Sequence, residues 1–229
     1  KYLAIDGGSV TVNSGYKLVV TDELVNNDEH SLLIEDGAQL FHNSDNVKAS
    51  FTMDISNPTD WTSENKDGWQ FIASPFADAS IANCFTNNST YVYDLYRYNG
   101  SSEYEWDNHK DNTSSDQSWL YFNTGEGYLA SYKDLTTATL YGTLNKAESY
   151  AWSLSYDMET PLANFHLLGN PFTFDMNWDN VNVTNVVDGF AVVNNEGGYT
   201  YSDNNNRTIP VGDGFFVIAI DENPSLTYN

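Results

Sequence analysis

Cysteine is nearly missing from this chain: Cys84 is the only one in 229 residues, so no disulfide can close within it. No Cys-His signature surrounds it, and a small buried residue in Ile81-Ala82-Asn83-Cys84-Phe85 is the simpler reading. Basic side chains are scarce as well. Lys and Arg number 9 against 32 Asp and Glu, a formal net charge of −23. Binding to phosphates needs clustered cations that displace counterions, so this balance argues against a nucleic-acid partner. It argues equally against an anionic membrane surface, and the acidity reads as solubility. No apolar run approaches the ~20 residues of a membrane span, and no stretch keeps a helical period. The chain begins at Lys1 without an initiator Met or a signal peptide and is expected to be a mature or excised piece of a longer protein.

Aromatic residues are abundant. They make up 15% of the chain, with 16 Tyr, 12 Phe and 6 Trp, enough to pack an interior and to set the sequence apart from disordered acidic chains. Leu3 and Ile5, Val10 and Val12, then Leu18 and Val20 alternate with polar neighbours at period two, as half-buried strands do. Gly7-Gly8 and Ser14-Gly15 punctuate them. Residues 1–57 therefore read as a short-strand segment, either solenoid-like or a small flanking sheet. Ser56-Asn57-Pro58 marks a break.

Beyond the break, one pattern occurs twice. Trp69-Gln70-Phe71-Ile72-Ala73-Ser74-Pro75-Phe76 and Phe165-His166-Leu167-Leu168-Gly169-Asn170-Pro171-Phe172 open two segments, with the aromatic six positions before the proline in both. Gly125-Glu126-Gly127-Tyr128 and Gly212-Asp213-Gly214-Phe215 close them. Matching ends around a middle of variable length describe related repeats, here placed at 58–150 and 151–229. The fold expected is all-β, a β-sandwich built from the two repeats, with 58–229 as one sandwich. Asn99-Gly100 predicts a tight hairpin with Glu103-Tyr104-Glu105-Trp106 as the return strand. Residues 107–118 carry no apolar side chain and read as an exposed loop, the main insertion of the first repeat.

These motifs resemble a module of large secreted and cell-surface proteins of Bacteroidetes. The resemblance rests on the Gly-Trp-x-x-Ile-x-x-Pro opening at 68–75, Leu-Leu-Gly-Asn-Pro-Phe at 167–172 and the two Gly-x-Gly-aromatic closings. Asp36-Gly37-Ala38-Gln39-Leu40 and Gly142-Thr143-Leu144-Asn145 also look like that family, so the likeness spans roughly 31–229. It implies export, an extracellular or outer-surface location and flanking modules in the parent chain. It brings no catalytic residues.

Chemistry is thinly signalled. The Gly-acid-Gly pairs feed strands rather than helices, and Glu126 or Asp213 would repel a phosphate, so turns or bulges explain them. Asp175, Asn177 and Asp179 place oxygen ligands at alternate positions, like the start of a calcium loop. The pattern lacks the Gly and Glu of an EF-hand, and a polar loop with Trp178 turned inward is the plainer reading. The four His, at 30, 42, 109 and 166, fall in no zinc pattern, and no Gly-x-Ser-x-Gly elbow occurs. Paired carboxylates for glycoside hydrolysis have no specific signature among so many acids. Trp61, Trp106 and Trp119 adjoin polar loops and are the candidates for stacking sugar rings. The expectation is a non-catalytic extracellular module serving adhesion or spacing, with a cell-surface glycan or protein as partner and no cofactor other than candidate calcium. The alternatives are a carbohydrate-binding module and, third, a cryptic glycan hydrolase.

Overall fold

The computed structural model describes residues 1–55, 68–86, 93–103, 105–111, 120–133, 136–146, 148–193, 198–202 and 207–229. Within them the chain is an all-β sandwich preceded by a short solenoid. The first residues coil. Leu3–Ala4 lies parallel to Leu24–Val25, Val10–Val12 to Leu32–Ile34, and Lys17–Val19 to Gln39–Phe41. Leu3 faces Leu24, Val10 faces Leu32 and Lys17 faces Gln39, so one turn of the coil takes 21 or 22 residues. Leu32–Ile34 is in turn parallel to Lys48–Asp54, with Ile34 against Phe51. Alternation at period two sends Val12, Ile34 and Phe51 inward as one stack, all buried. Of the two expectations for this segment, the solenoid is the one the strands form.

Lys48–Asp54 carries the solenoid into the sandwich. Along its other edge it pairs antiparallel with Thr137–Thr143 over seven residues, Lys48 opposite Thr143 and Asp54 opposite Thr137. Solenoid residues from Val12 to Ile55 and sandwich residues from Ile72 to Leu144 consequently share one core.

Two four-stranded antiparallel sheets follow, with the same strand order. In the first, Gln70–Ile72 pairs with Tyr128–Tyr132, which pairs with Tyr93–Tyr98, which pairs with Trp106–Asn108. In the second the sequence is Phe165–Gly169, Gly214–Ile218, Ala191–Val193 and Tyr199–Tyr201. Opening strand, closing strand, middle strand and return strand thus occupy matching places. The strand that follows each sheet matches too. Thr137–Thr143 pairs with the strand before the first opening, and Ser225–Tyr228 with Tyr150–Trp152, the strand before the second. Val181–Thr184 flanks Ser225–Tyr228 on its other side.

The units are joined by a reciprocal exchange at their glycine turns. Ile72 of the first opening bridges Asp213 of the second closing, and Leu168 of the second opening bridges Glu126 of the first closing. Ala73 N donates to Gly212 O at 2.7 Å, and the corresponding Gly169 N donates to Gly125 O at 2.9 Å. The Gly-acid-Gly motif has a different reason at each glycine. Gly125 and Gly212 have φ of 75° and 85°, the left-handed region that disfavours a side chain. A Cβ on Gly127 would strike Leu168 O, and one on Gly214 would press on Ile72 O.

The openings end alike. Phe76 N donates to Ser74 Oγ at 3.1 Å, and Phe172 N donates to Asn170 Oδ1 at 2.9 Å. The chain turns at the intervening proline, which fixes φ and offers no ladder donor, and both Phe rings land fully buried. Phe172 stacks on Phe174, and Phe174 on Phe41 of the solenoid, with centroids 4.9 and 4.6 Å apart. Beside them Leu40 N donates to Thr173 O at 2.7 Å and Thr173 Oγ1 to Leu40 O at 2.5 Å. The second unit therefore grips the solenoid directly.

Two local expectations need correction. The Asn99-Gly100 hairpin is longer than a two-residue turn: Asn99 N donates to Glu105 O, and the return strand is Trp106–Asn108. Gly100 is required for space, because a Cβ there would collide with Leu162 O, and it has no positive φ. Nor is all of 107–118 an exposed loop. Residues 106–108 form that strand, His109–Asp111 form a 3-10 turn, and Lys110 Nζ reaches the buried Asp94 at 2.8 Å. Residues 112–118 lie outside the described residues.

Truncating Phe172 to alanine empties a fully enclosed site shared by the second core and the solenoid contact. The expected cost is ~3–5 kcal/mol, visible as a marked fall in melting temperature. A variant melting like the parent would contradict this account of the Pro-Phe turn.

Candidate functional site

Period-two alternation sorts the side chains of each sheet between two apolar layers. Ile72, Leu95, Tyr128 and Ala130 point into the first core, while Phe215, Val217 and Leu168 point into the second. Their neighbours Phe71, Leu129, Tyr98, Leu167, Ala191 and Phe216 meet in a third layer between the sheets. This layer is rich in aromatics and does not fill. It leaves a cleft of about 460 Å³ lined by the outer strands of both sheets, by Leu162 and Phe165, and by the 187–190 segment.

Phe216 is the floor of the cleft. Its ring meets Tyr98 at 5.0 Å, Trp106 at 6.0 Å, Tyr199 at 6.2 Å and Phe165 at 6.4 Å between centroids, all edge-on. Such contacts suit the ring quadrupole. Tyr98 and Trp106 make one wall and are themselves edge-to-face at 5.1 Å. Tyr98 Oη donates to Leu162 O at 2.8 Å, which fixes that ring. Tyr199 and Tyr201 alternate with Thr200 on a strand that, among the described residues, pairs along one side only. They are 51% and 68% exposed, so these two rings are presented to solvent.

Among the described residues two carboxylates line the cleft, Glu105 and Asp188. Asp188 Oδ1 accepts from Trp178 Nε1 at 2.9 Å and from Arg207 Nη2 at 3.1 Å. The Trp178 indole and then the Arg207 guanidinium hold its carboxyl below the usual range. Glu105 has a backbone φ of 55°. Its carboxylate makes no hydrogen bond or ion pair among the described residues.

Of the tryptophans singled out for stacking, Trp106 lies in the cleft wall. Trp61 and Trp119 fall outside the described residues. Tyr98, Tyr199, Tyr201 and Glu105 were not anticipated. The spacing Tyr199-Thr200-Tyr201 puts two rings on one face of a strand and was the one available signal.

Asp175, Asn177 and Asp179 each spend an oxygen on the protein. Asp175 Oδ2 accepts from Gln39 Nε2 at 2.7 Å, and its Oδ1 from Val211 N at 3.3 Å. Asn177 Oδ1 caps the 178–180 turn by accepting from Asp179 N. Asp179 Oδ1 pairs with Arg207 Nε at 2.6 Å. Trp178 between them is buried. Among the described residues no group of three or more His, Cys, Asp and Glu side chains is placed to hold a metal ion. No family model, curated protein or solved structure matches the chain.

Asp175 instead belongs to a set of acids where the second closing turn meets the solenoid. Burial, then the charges of Asp36 and Asp175, push the Asp213 carboxyl up to about 7. Asp36 is likewise raised, by burial first and then by Asp54 and Asp175.

The shift at Asp213 has a definite consequence for stability. Between about pH 4 and 7 the native chain retains at Asp213 a proton that the unfolded chain, titrating near 3.9, has released. The contribution is therefore complete at low pH and is lost as pH rises towards 7. Asp213→Asn cannot titrate. Its melting temperature relative to the parent should climb from pH 4 to 7.5, and a difference independent of pH would refute the assignment.

Proposed function

We propose that this chain is a non-catalytic binding module whose ligand is a sugar stacked on the aromatic walls of the cleft. The observation that carries the reading is the convergence of Trp106, Tyr98, Tyr199 and Tyr201 on one open, apolar space. Sugar rings present flat apolar faces to aromatic side chains, and a concave site with a few polar groups orients the rest. Aromatics that only filled a core would be covered, whereas Tyr199 and Tyr201 stand largely in solvent. Asp188, held ionised by Trp178 and Arg207, is suited to a fixed structural charge and ill suited to protonating a glycosidic oxygen.

The likeness of the motifs to a Bacteroidetes surface module supports an extracellular location, where such a module would serve adhesion within a larger protein. The shared strand order and the reciprocal turns support the origin of both units from one duplicated segment.

Calorimetric titration with a panel of oligosaccharides tests the reading. At least one should bind, and Tyr201→Ala should weaken it about tenfold while leaving the melting temperature in place, because that ring is exposed. Failure of every sugar to bind, or binding indifferent to Tyr201→Ala, would overturn it.

A further inference from the structure

We propose that the sugar taken by this cleft carries a protonated amine, as a glucosamine unit does, and that Glu105 is the residue that selects it. The inference rests on the stacking site described above and adds the chemical class of its ligand.

The starting point is a charge without a counterpart among the described residues. Glu105 lines the cleft and is half-buried. The other cleft carboxylate, Asp188, is engaged by Trp178 and Arg207. Glu105 has no such partner among the described residues. Its negative charge is nonetheless felt in the wall, where it helps to raise the Tyr98 hydroxyl after burial has done so. A neutral ligand closing over the cleft would strip water from this carboxylate and return nothing, which is costly. An ammonium group would return a charge-assisted hydrogen bond.

The backbone under Glu105 is unusual as well. Its φ of 55° is a conformation that glycine and asparagine adopt readily and a glutamate adopts at a cost. The hairpin enforces it, with Asn99 N donating to Glu105 O at 2.7 Å and Glu105 N to Ser102 O at 3.4 Å. The next residue is Trp106, so the turn sets a carboxylate and an indole side by side at the cleft wall. Strain kept where a ligand would sit points to use.

The remaining surroundings favour the same charge. Electron-rich faces of Trp106, Tyr98, Tyr199 and Tyr201 attract a cation. A chain of net charge −23 draws cationic ligands towards its surface and repels uronates and sulfated sugars. An amino sugar fits all three features: its ring stacks, its ammonium meets Glu105, and the field brings it in.

The test compares a glucosamine hexamer with its fully N-acetylated counterpart, titrated into the whole chain at about pH 5.5, below the ordinary amine range. The parent should bind the amine form about tenfold more tightly. Glu105→Gln should bring the two affinities together while leaving the N-acetylated form bound as before. Glu105→Gly relieves the φ strain, should melt no lower than the parent, and should lose the preference in the same way. That second variant guards against a folding defect. A preference that survives both substitutions would mean general attraction to an acidic surface and would overturn the assignment to Glu105. If neutral sugars bind and the amine form gains nothing, the stacking site stands and the amine selection falls. If no sugar binds at all, both fall.

Discussion

Everything in the sandwich hangs on the reciprocal bonding of two glycine turns. The edge strand of each sheet leaves part of its hydrogen-bonding unsatisfied by its own unit, and the other unit's Gly-acid-Gly turn supplies it. Buried main-chain groups must be paired, so this exchange is obligatory for both partners. It also dictates side-chain size. Gly169 would drive a Cβ into Ala73, which places the smallest residues where the two openings approach each other most closely. Once the sheets are pinned along that edge, their inner faces enclose the third layer, and the incomplete filling of that layer is what makes the cleft.

Strands and turns were legible because their signals are local. Period-two alternation located Val10–Val12, and the paired glycines located the two closing turns. Pro75 and Pro171 stand at matching places in the two openings, and the Phe after each is buried. The pairing of each opening with the closing of the opposite unit was not legible. Nothing in residues 69–76 names a partner at 212–213, since backbone hydrogen bonds carry no side-chain label. Asn99-Gly100 misled for a related reason. Glycine marks either a special φ or a close approach, and the sequence alone does not say that Leu162 lies against it.

The cleft was legible only in part. Trp106 could be singled out as an aromatic beside a polar loop, but its companions come from strands at 93–98, 199–201 and 214–218, which only tertiary structure brings together. Glu105 looked like one acid among 32. What distinguishes it is a backbone angle and the lack of a partner among its described neighbours. The alternate oxygens of 175–179 show the converse. A ligand-like spacing arose from three unrelated duties: a bond to the solenoid, a cap and an ion pair.

The exchange between the units also bears on how the chain can be made. During synthesis the first sheet emerges long before Gly212 and Asp213, yet its opening strand bonds to them at Ile72 and Ala73. Thr173, on which Leu40 of the solenoid depends, is late as well. A ribosome-bound chain halted after the first unit would expose an unfinished edge and part of an aromatic layer, both invitations to aggregation. Contacts so distant along the chain delay the final closure. The hydrogen bonding of the first opening strand is therefore complete only once residues 212 and 213 have been made.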